Sequence, residues 1–190
     1  MPYAIPAFVS VLVWKGLLNP DFGVINSWLG PLYELLDIEP IMWLKTKESA
    51  RAAVLLVNTW LGFPYMFLIT TGALQSIPKE LIEAAKVDGA SSWQIFIKIT
   101  VPMLYPFIGL ALLFRSIDAF KTFDIIYVLT SGGPGILTRT LNLYAFKHGI
   151  EFLSMGYAGS IAIVMLIITI VVAQIFLRKN KLLTPKDTFK

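Results

Sequence analysis

The 190-residue sequence contains no cysteine and a single histidine, His148, and only 15% of it is charged. Without cysteine there is no disulfide, no thiolate metal site and no cysteine nucleophile, and one imidazole cannot build a histidine-based metal site. Charged residues fill about a quarter of an ordinary soluble domain. The shortage of charge, set beside 56% hydrophobic residues and a mean hydropathy of +0.72, excludes a large soluble catalytic domain. No G-x-x-x-x-G-K-[ST] phosphate loop occurs, so the chain is not itself an ATPase. The net charge of +4 is scattered or gathered in the tail, which argues for membrane topology and against nucleic-acid binding.

What the sequence does have is long uncharged runs. Crossing ~30 Å of hydrocarbon takes ~20 apolar residues of helix. Gly156 to Leu177 carries no charge between Glu151 and Arg178, Ala52 to Pro78 is uncharged, and Ile99 to Phe114 opens a run that continues through polar residues to Thr130. A fourth apolar stretch, Pro2 to Trp14, begins at the first residue, is too short to span from a clean start and lacks the early basic residues of a signal peptide. The fold expected is all-α and polytopic, with spans at 1–18, 52–76, 102–130 and 156–177 and a loop at 78–100. The abrupt opening leads us to expect a fragment that begins inside or just before a membrane helix. Arg178, Lys179, Lys181, Lys186 and Lys190 face one acid, Asp187, after the last span, so the C-terminus is expected in the cytoplasm and the 78–100 loop with it. The 19–50 and 131–155 segments then lie outside, and their Pro and Gly residues predict turns and short helices.

The loop at 78–100 is patterned. Pro78 stands at a helix start, an acid follows in the first turn, and Leu81, Ile82, Ala85 and Val87 alternate with charges as on a short amphipathic helix. Gly89 supplies a turn residue, and Ser91 or Ser92 can cap a second short helix, 93–99, expected to end at Pro102. Such a helix, turn, helix serves either as a solvated connector or as a knob for docking into a partner's groove.

Two sets of polar residues lie within the spans. Asn58, Gly62, Tyr65, Ile69 and Gly72 recur at helical spacing on one face, with Pro64 expected to kink the helix beside them. An amide, two glycines and a phenol suit a sugar, and equally suit close packing of helices. Arg115, Asp118, Lys121 and Asp124 alternate in sign three residues apart, which allows the pairs Arg115 with Asp118 and Lys121 with Asp124. Charges at membrane depth cost ~2.5–3.5 kcal/mol each, so pairing is expected. On one continuous helix Arg115 and Asp124 would face opposite sides, leaving Asp118 and Thr122, one turn apart, as the pair facing a solute or as part of an ion-pair ladder.

The residues Glu83-Ala84-Ala85, Asp88-Gly89-Ala90 and Ile99-Thr-Val-Pro102 resemble the EAA loop of ABC importer permeases, with Val101 where leucine is usual. Pro2-Tyr-Ala-Ile-Pro6, Lys15 to Asn19, Phe22-Gly23, Asn26, Asn58 to Gly62, Pro64-Tyr-Met66 and Ser131-Gly-Gly-Pro134 extend the likeness over the whole chain, toward the larger permease subunits of maltose-type, carbohydrate-uptake importers. The resemblance implies a permease subunit without cofactor or metal and without enzymatic activity of its own, working in the cytoplasmic membrane by ATP-driven alternating access. It implies a second permease subunit, cytoplasmic ATP-binding subunits, an external solute-binding protein, a sugar and membrane lipid as partners, with no nucleic acid. It also implies further membrane helices before residue 1. Glu83, Ala84, Ala85, Asp88, Gly89 and Ala90 would couple to the ATPase, while Tyr3, Asn58, Leu61, Gly62 and Tyr65 match sugar-contacting positions.

The third-span match is poorer, since Asp118, Ala119 and Thr122 stand where the family has an aromatic and asparagines, and Ala7 replaces a serine. A disaccharide such as maltose or trehalose, or a short maltodextrin, is the solute expected. A polyol or glycerol phosphate is the alternative, for which Arg115 is the one favourable feature. An intramembrane enzyme finds no nucleophile paired with a base, and a passive channel does not explain the loop.

Overall fold

The computed structural model describes residues 4–179, and every regular element among them is helical. In chain order these are α1 (Ala7–Leu17), α2 (Val24–Leu36), α3 (Lys47–Gln75), α4 (Lys79–Val87), α5 (Ser92–Ile95), a π-helical turn (Phe96–Thr100), α6 (Val101–Phe120), α7 (Asp124–Leu129), α8 (Leu141–Phe146), a second π-helical turn (Lys147–Glu151) and α9 (Met155–Lys179). Three helical runs are long and apolar enough to cross a membrane: Lys47–Gln75, Ser92–Phe120 and Met155–Arg178. At 1.5 Å per residue, a 29-residue helix such as α3 is about 43 Å long, more than the hydrocarbon requires. Ala7–Leu17 is a shorter apolar helix, and the residues before Ala4 lie outside the described part.

The chain forms two compact units, one made of residues up to Gly62 with Ala119–Ile168, the other of Phe63–Asp118 with the chain from Thr169. The core of the first joins Val11 and Leu18 of α1, Ala53 and Val57 of α3, and Ile125, Val128 and Leu129 of α7. Trp14 meets Trp60 edge-on with ring centres 5.9 Å apart, and Lys15 donates from Nζ to the carbonyl of Val128 at 2.8 Å, next to the C-terminal end of α7. A cation at a helix C-terminus complements the carbonyl dipoles that the last turn leaves unpaired.

In the same unit, α2 is bound to its surroundings by one amide. Asn26, 9% exposed, donates to the carbonyl of Ile41 at 3.0 Å. Its Oδ1 accepts from Trp43 Nε1 at 2.8 Å and from the Tyr33 hydroxyl at 3.2 Å. Gly23, just ahead of α2, is pressed against the end of α1, where a Cβ would overlap the carbonyl oxygens of Leu17 and Asn19. The Gly-rich turn of the 131–155 segment is present as expected. Gly132 and Gly135 take φ of +89° and +59°, Gly133–Pro134 is cis, and Thr138 donates to the Gly133 carbonyl at 2.7 Å.

The core of the second unit is Ala73 and Ile77 with Leu104, and Ile82 of α4, Met103 and Ile108 pack against it. α9 is nearly bare, with 6% of its most apolar stretch buried within the chain. Of its small-residue pairs, Ala158 backs onto Gly149, where an added Cβ would lie 3.1 Å away, whereas Ser160 bonds back to the Gly156 carbonyl at 3.0 Å.

Two expectations are corrected. The second helix of the 78–100 loop does not stop at Pro102 but runs through the π-helical turn into α6. A proline ring clashes with the carbonyl four residues back in a regular α-helix, and the wider π turn just before Pro102 relieves that conflict. The third span is not one helix to Thr130, because α6 ends at Phe120 and α7 starts at Asp124. α3 is assigned as one continuous helix through Pro64.

Replacing Asn26 by alanine strands the Trp43 indole N–H and the Tyr33 hydroxyl, a loss of about 1–3 kcal/mol for buried groups without partners. A lowered thermal midpoint of the detergent-solubilised, full-length protein, beside an unchanged Ser27→Ala control, is the expected result.

Candidate functional site

The 78–100 loop is built by local signals in close succession. Pro78 precedes α4, Glu80 sits in its first turn and Lys86 in its last, an arrangement that complements the helix dipole. No residue of α4 is fully buried, and Ile82 gives it its hold on the core of its unit. Asp88 closes the helix and Gly89 follows at φ +77° with nothing near a Cβ position, so the residue is required for its backbone and not for space. Ser91 and Gln94 then form a full capping box at α5: Gln94 N–H to Ser91 Oγ at 3.3 Å and Ser91 N–H to Gln94 Oε1 at 2.8 Å. Glu83, Ala84, Asp88 and Gly89 are exposed, Ala85 and Ala90 are half-buried, and Trp93 stacks on Phe96 with ring centres 5.7 Å apart.

This is an exposed helix, turn, helix anchored at both ends. Ala73 lies at the end of one apolar helix with Ile77 just beyond it, Leu104 at the start of another, and Ile82 of α4 packs against this cluster. From α5 the backbone continues helically, through the π-helical turn Phe96–Thr100, into α6.

The residues expected to meet a solute are distributed as follows. Tyr3 lies outside the described residues. Asn58, Leu61, Gly62 and Tyr65 all belong to α3, on successive turns; Gly62 is buried and the other three are half-buried. Leu61 packs against the core of the first unit, a role that periodicity did not single out. Asp118 is on α6 with its carboxylate 73% exposed, and it accepts from Arg115 at 2.6 Å, the pair expected from their alternating sign. Lys121 and Asp124 form no such pair, because the helix breaks between them. Thr122 falls in that break, half-buried, with its amide bonded to the Ala119 carbonyl at 3.2 Å. No group of three or more His, Cys, Asp or Glu side chains able to hold a metal ion occurs among the described residues.

His148, which sequence reasoning placed in a loop without a role, sits in an aromatic cluster. Its ring centre is 4.3 Å from that of Tyr144, 5.0 Å from Tyr157 and 5.2 Å from Phe152. The hydrogen bond with Tyr157 is the main reason that the Tyr144 hydroxyl is held above the ordinary phenol range.

Apolar helices of spanning length, joined by an exposed helix, turn, helix, define a polytopic helical membrane protein. Residues 1–185 match the family described as binding-protein-dependent transport system inner membrane component, and the chain belongs to that family. It is 38% identical over 178 residues to the sulfoquinovosyl glycerol transport system permease protein SmoG of Agrobacterium fabrum, covering 94% of this chain and 56% of that protein. It is 36% identical over 181 residues to the trehalose/maltose transport system permease protein MalF of Thermococcus litoralis, covering 95% of this chain and 60% of that one. The fold matches a crystal structure of a bacterial ABC transporter involved in import of the acidic polysaccharide alginate, with TM-score 0.83 at 22% identity over 96% of this chain and 63% of that chain. The chain thus spans little more than half the length of the two permease relatives.

Substitutions at Gly89 should sort by tolerance of positive φ. Gly89→Asn keeps the loop, whereas Gly89→Val, a β-branched residue in the left-handed region, costs about 1–2 kcal/mol or more. Hydrogen exchange of the 84–95 amides in the assembled protein should quicken for valine and stay near wild type for asparagine.

Proposed function

We propose that the chain is the C-terminal part of the transmembrane domain of a permease subunit in a binding-protein-dependent ABC importer for a sugar. The observation that carries this is the loop α4–Gly89–α5, exposed at its tip and fixed to two apolar helices at its base. In this reading Glu83, Ala84, Ala85, Asp88, Gly89 and Ala90 seat in a cytoplasmic ATP-binding subunit. Closure of the ATPase pair shifts the loop and, through it, α3 and α6. A second permease subunit completes the path, and an external binding protein delivers the solute. ATP can bias such a two-state rearrangement only if it binds the two states differently.

The spans are 1–18, 52–76, 102–130 and 156–177, the third of them carried by α6 and α7, with the C-terminus in the cytoplasm. Asn58 and Tyr65 offer hydrogen bonds to sugar hydroxyls, Gly62 lets a ring approach the backbone, and Tyr3, Leu61, Asp118 and Thr122 complete the lining. Leu61, packed on the core, shapes the wall beside Asn58. A disaccharide of the trehalose or maltose kind fits this neutral set best, and the Thermococcus relative is named for those sugars. An anionic solute, a glycerol phosphate for example, is disfavoured because the Arg115 guanidinium is already bound to Asp118.

A single cysteine at Ala84 in the full-length, otherwise cysteine-free protein, co-expressed with its ATPase, tests the coupling. We expect a cross-link to the ATPase whose yield changes with ATP; no cross-link in an assembled complex whose loop remains reactive to thiol reagents contradicts the reading. Asn58→Ala and Tyr65→Ala should each weaken apparent sugar affinity about tenfold, the effect of one lost hydrogen bond, in an uptake assay.

A further inference from the structure

α2 belongs to none of the spans, and its surface is divided by chemistry. On a helical wheel Val24, Leu35, Trp28 and Leu32 fall within about 80° of one another. All four are exposed, Trp28 to 80% and Leu35 to 79%. Asn26 and Tyr33 occupy the inward side. Ser27 and Glu34 border the apolar arc on one edge, and with Asp37 they line an open cleft of about 570 Å³ whose other carboxylates are Asp21 and Glu39. No basic residue lies in α2.

The depth of this helix is not free. At its N-terminus Gly23 is packed against the Leu17 and Asn19 carbonyls at the end of α1, and the Asn19 side chain accepts from the Asp21 and Phe22 amides at 2.9 and 3.2 Å. Through Asn26 the helix is bonded to Ile41 and Trp43, and Ser49 in the first turn of α3 bonds to the Met42 carbonyl at 2.6 Å. Ile25 and Trp43 pack on the same core as α1 and α3. α2 is therefore tethered where two apolar helices end, at the level where such helices leave hydrocarbon.

We propose that α2 is an interfacial helix: Val24, Trp28, Leu32 and Leu35 insert into the lipid headgroup and acyl boundary, and the acidic cleft faces water. A lipid surface suits this face because a tryptophan buries its ring there while keeping its N–H near water, and because the helix is tied to apolar helices. With no lysine or arginine in the helix, insertion depends on apolar area and on the tethers. Depth should then be the same in neutral and in anionic bilayers. The inference needs the membrane placement of α1 and α3 and is independent of the solute and of ATP coupling.

The test is nitroxide labelling of V24C, W28C, L32C, L35C, S27C and E34C, one at a time, in the otherwise cysteine-free full-length protein assembled with its partners in phosphatidylcholine nanodiscs. Accessibility to oxygen, which favours lipid, is compared with accessibility to a water-soluble nickel chelate. We expect oxygen to dominate at 24, 28, 32 and 35 and nickel at 27 and 34, with the pattern unchanged by added phosphatidylglycerol. High nickel accessibility at all six positions overturns the proposal in favour of a solvated helix. Low accessibility to both reagents along the apolar arc, with or without binding protein, overturns it in favour of a protein partner. Should W28C fail to assemble, the other three apolar positions carry the same comparison.

Discussion

A peptide N–H or carbonyl that cannot reach water must find its partner within the chain, and an unmet one in hydrocarbon costs several kcal/mol. For a sequence with 15% charged residues this constraint governs the structure. It makes every regular element of the described residues a helix, and it explains why the prolines within them are accommodated and not simply tolerated. Pro64 lies inside a continuous α3, and Pro102 follows directly on a π-helical turn that makes room for its ring. Buried side chains obey the same rule: among the described residues no buried side-chain nitrogen or oxygen is left without a partner. The Asn26 knot and the Thr130–Thr138 contact, 2.7 Å between hydroxyl oxygens, are local instances of it.

The same need for internal satisfaction stiffens the loop between the second and third long helices. Its caps are supplied by its own residues, Ser91 with Gln94 at α5 and the Asp88–Gly89 turn after α4, so its form does not depend on a partner being present. Its base is hydrophobic and shared by the helices on either side. A preformed, rigid knob conveys a displacement; a floppy loop would absorb it.

Much of this was legible in the sequence because it rests on local rules. Uncharged length located the long helices, and Pro78, Gly89 and Ser91 marked the loop's start, turn and cap. The Arg115–Asp118 pair followed from sign and spacing. What escaped depends on contacts distant in sequence or on departures from ideal helix geometry. The break at Lys121–Phe123 lies in a stretch with no glycine or proline to announce it. The two π-helical turns leave no mark in residue type. Leu61 was singled out in the sequence only by its match to a sugar-contacting position, and its packing on the core of α1, α3 and α7 shows only in the structure. For 19–50 the sequence indicated only turns and short helices, and the tethering of Val24–Leu36 through Asn26 required Ile41 and Trp43 to be brought beside it.

The central claim is that a sugar crosses the membrane through a subunit of this kind only when ATP moves the loop. It is tested most directly by uptake of radiolabelled trehalose and maltose into proteoliposomes containing the full-length protein with its permease and ATPase partners. Binding protein is supplied outside, and ATP is either trapped inside or omitted. The account predicts accumulation above the external concentration with ATP and none without it. Entry of sugar down its gradient, at the same rate with and without ATP, would contradict it.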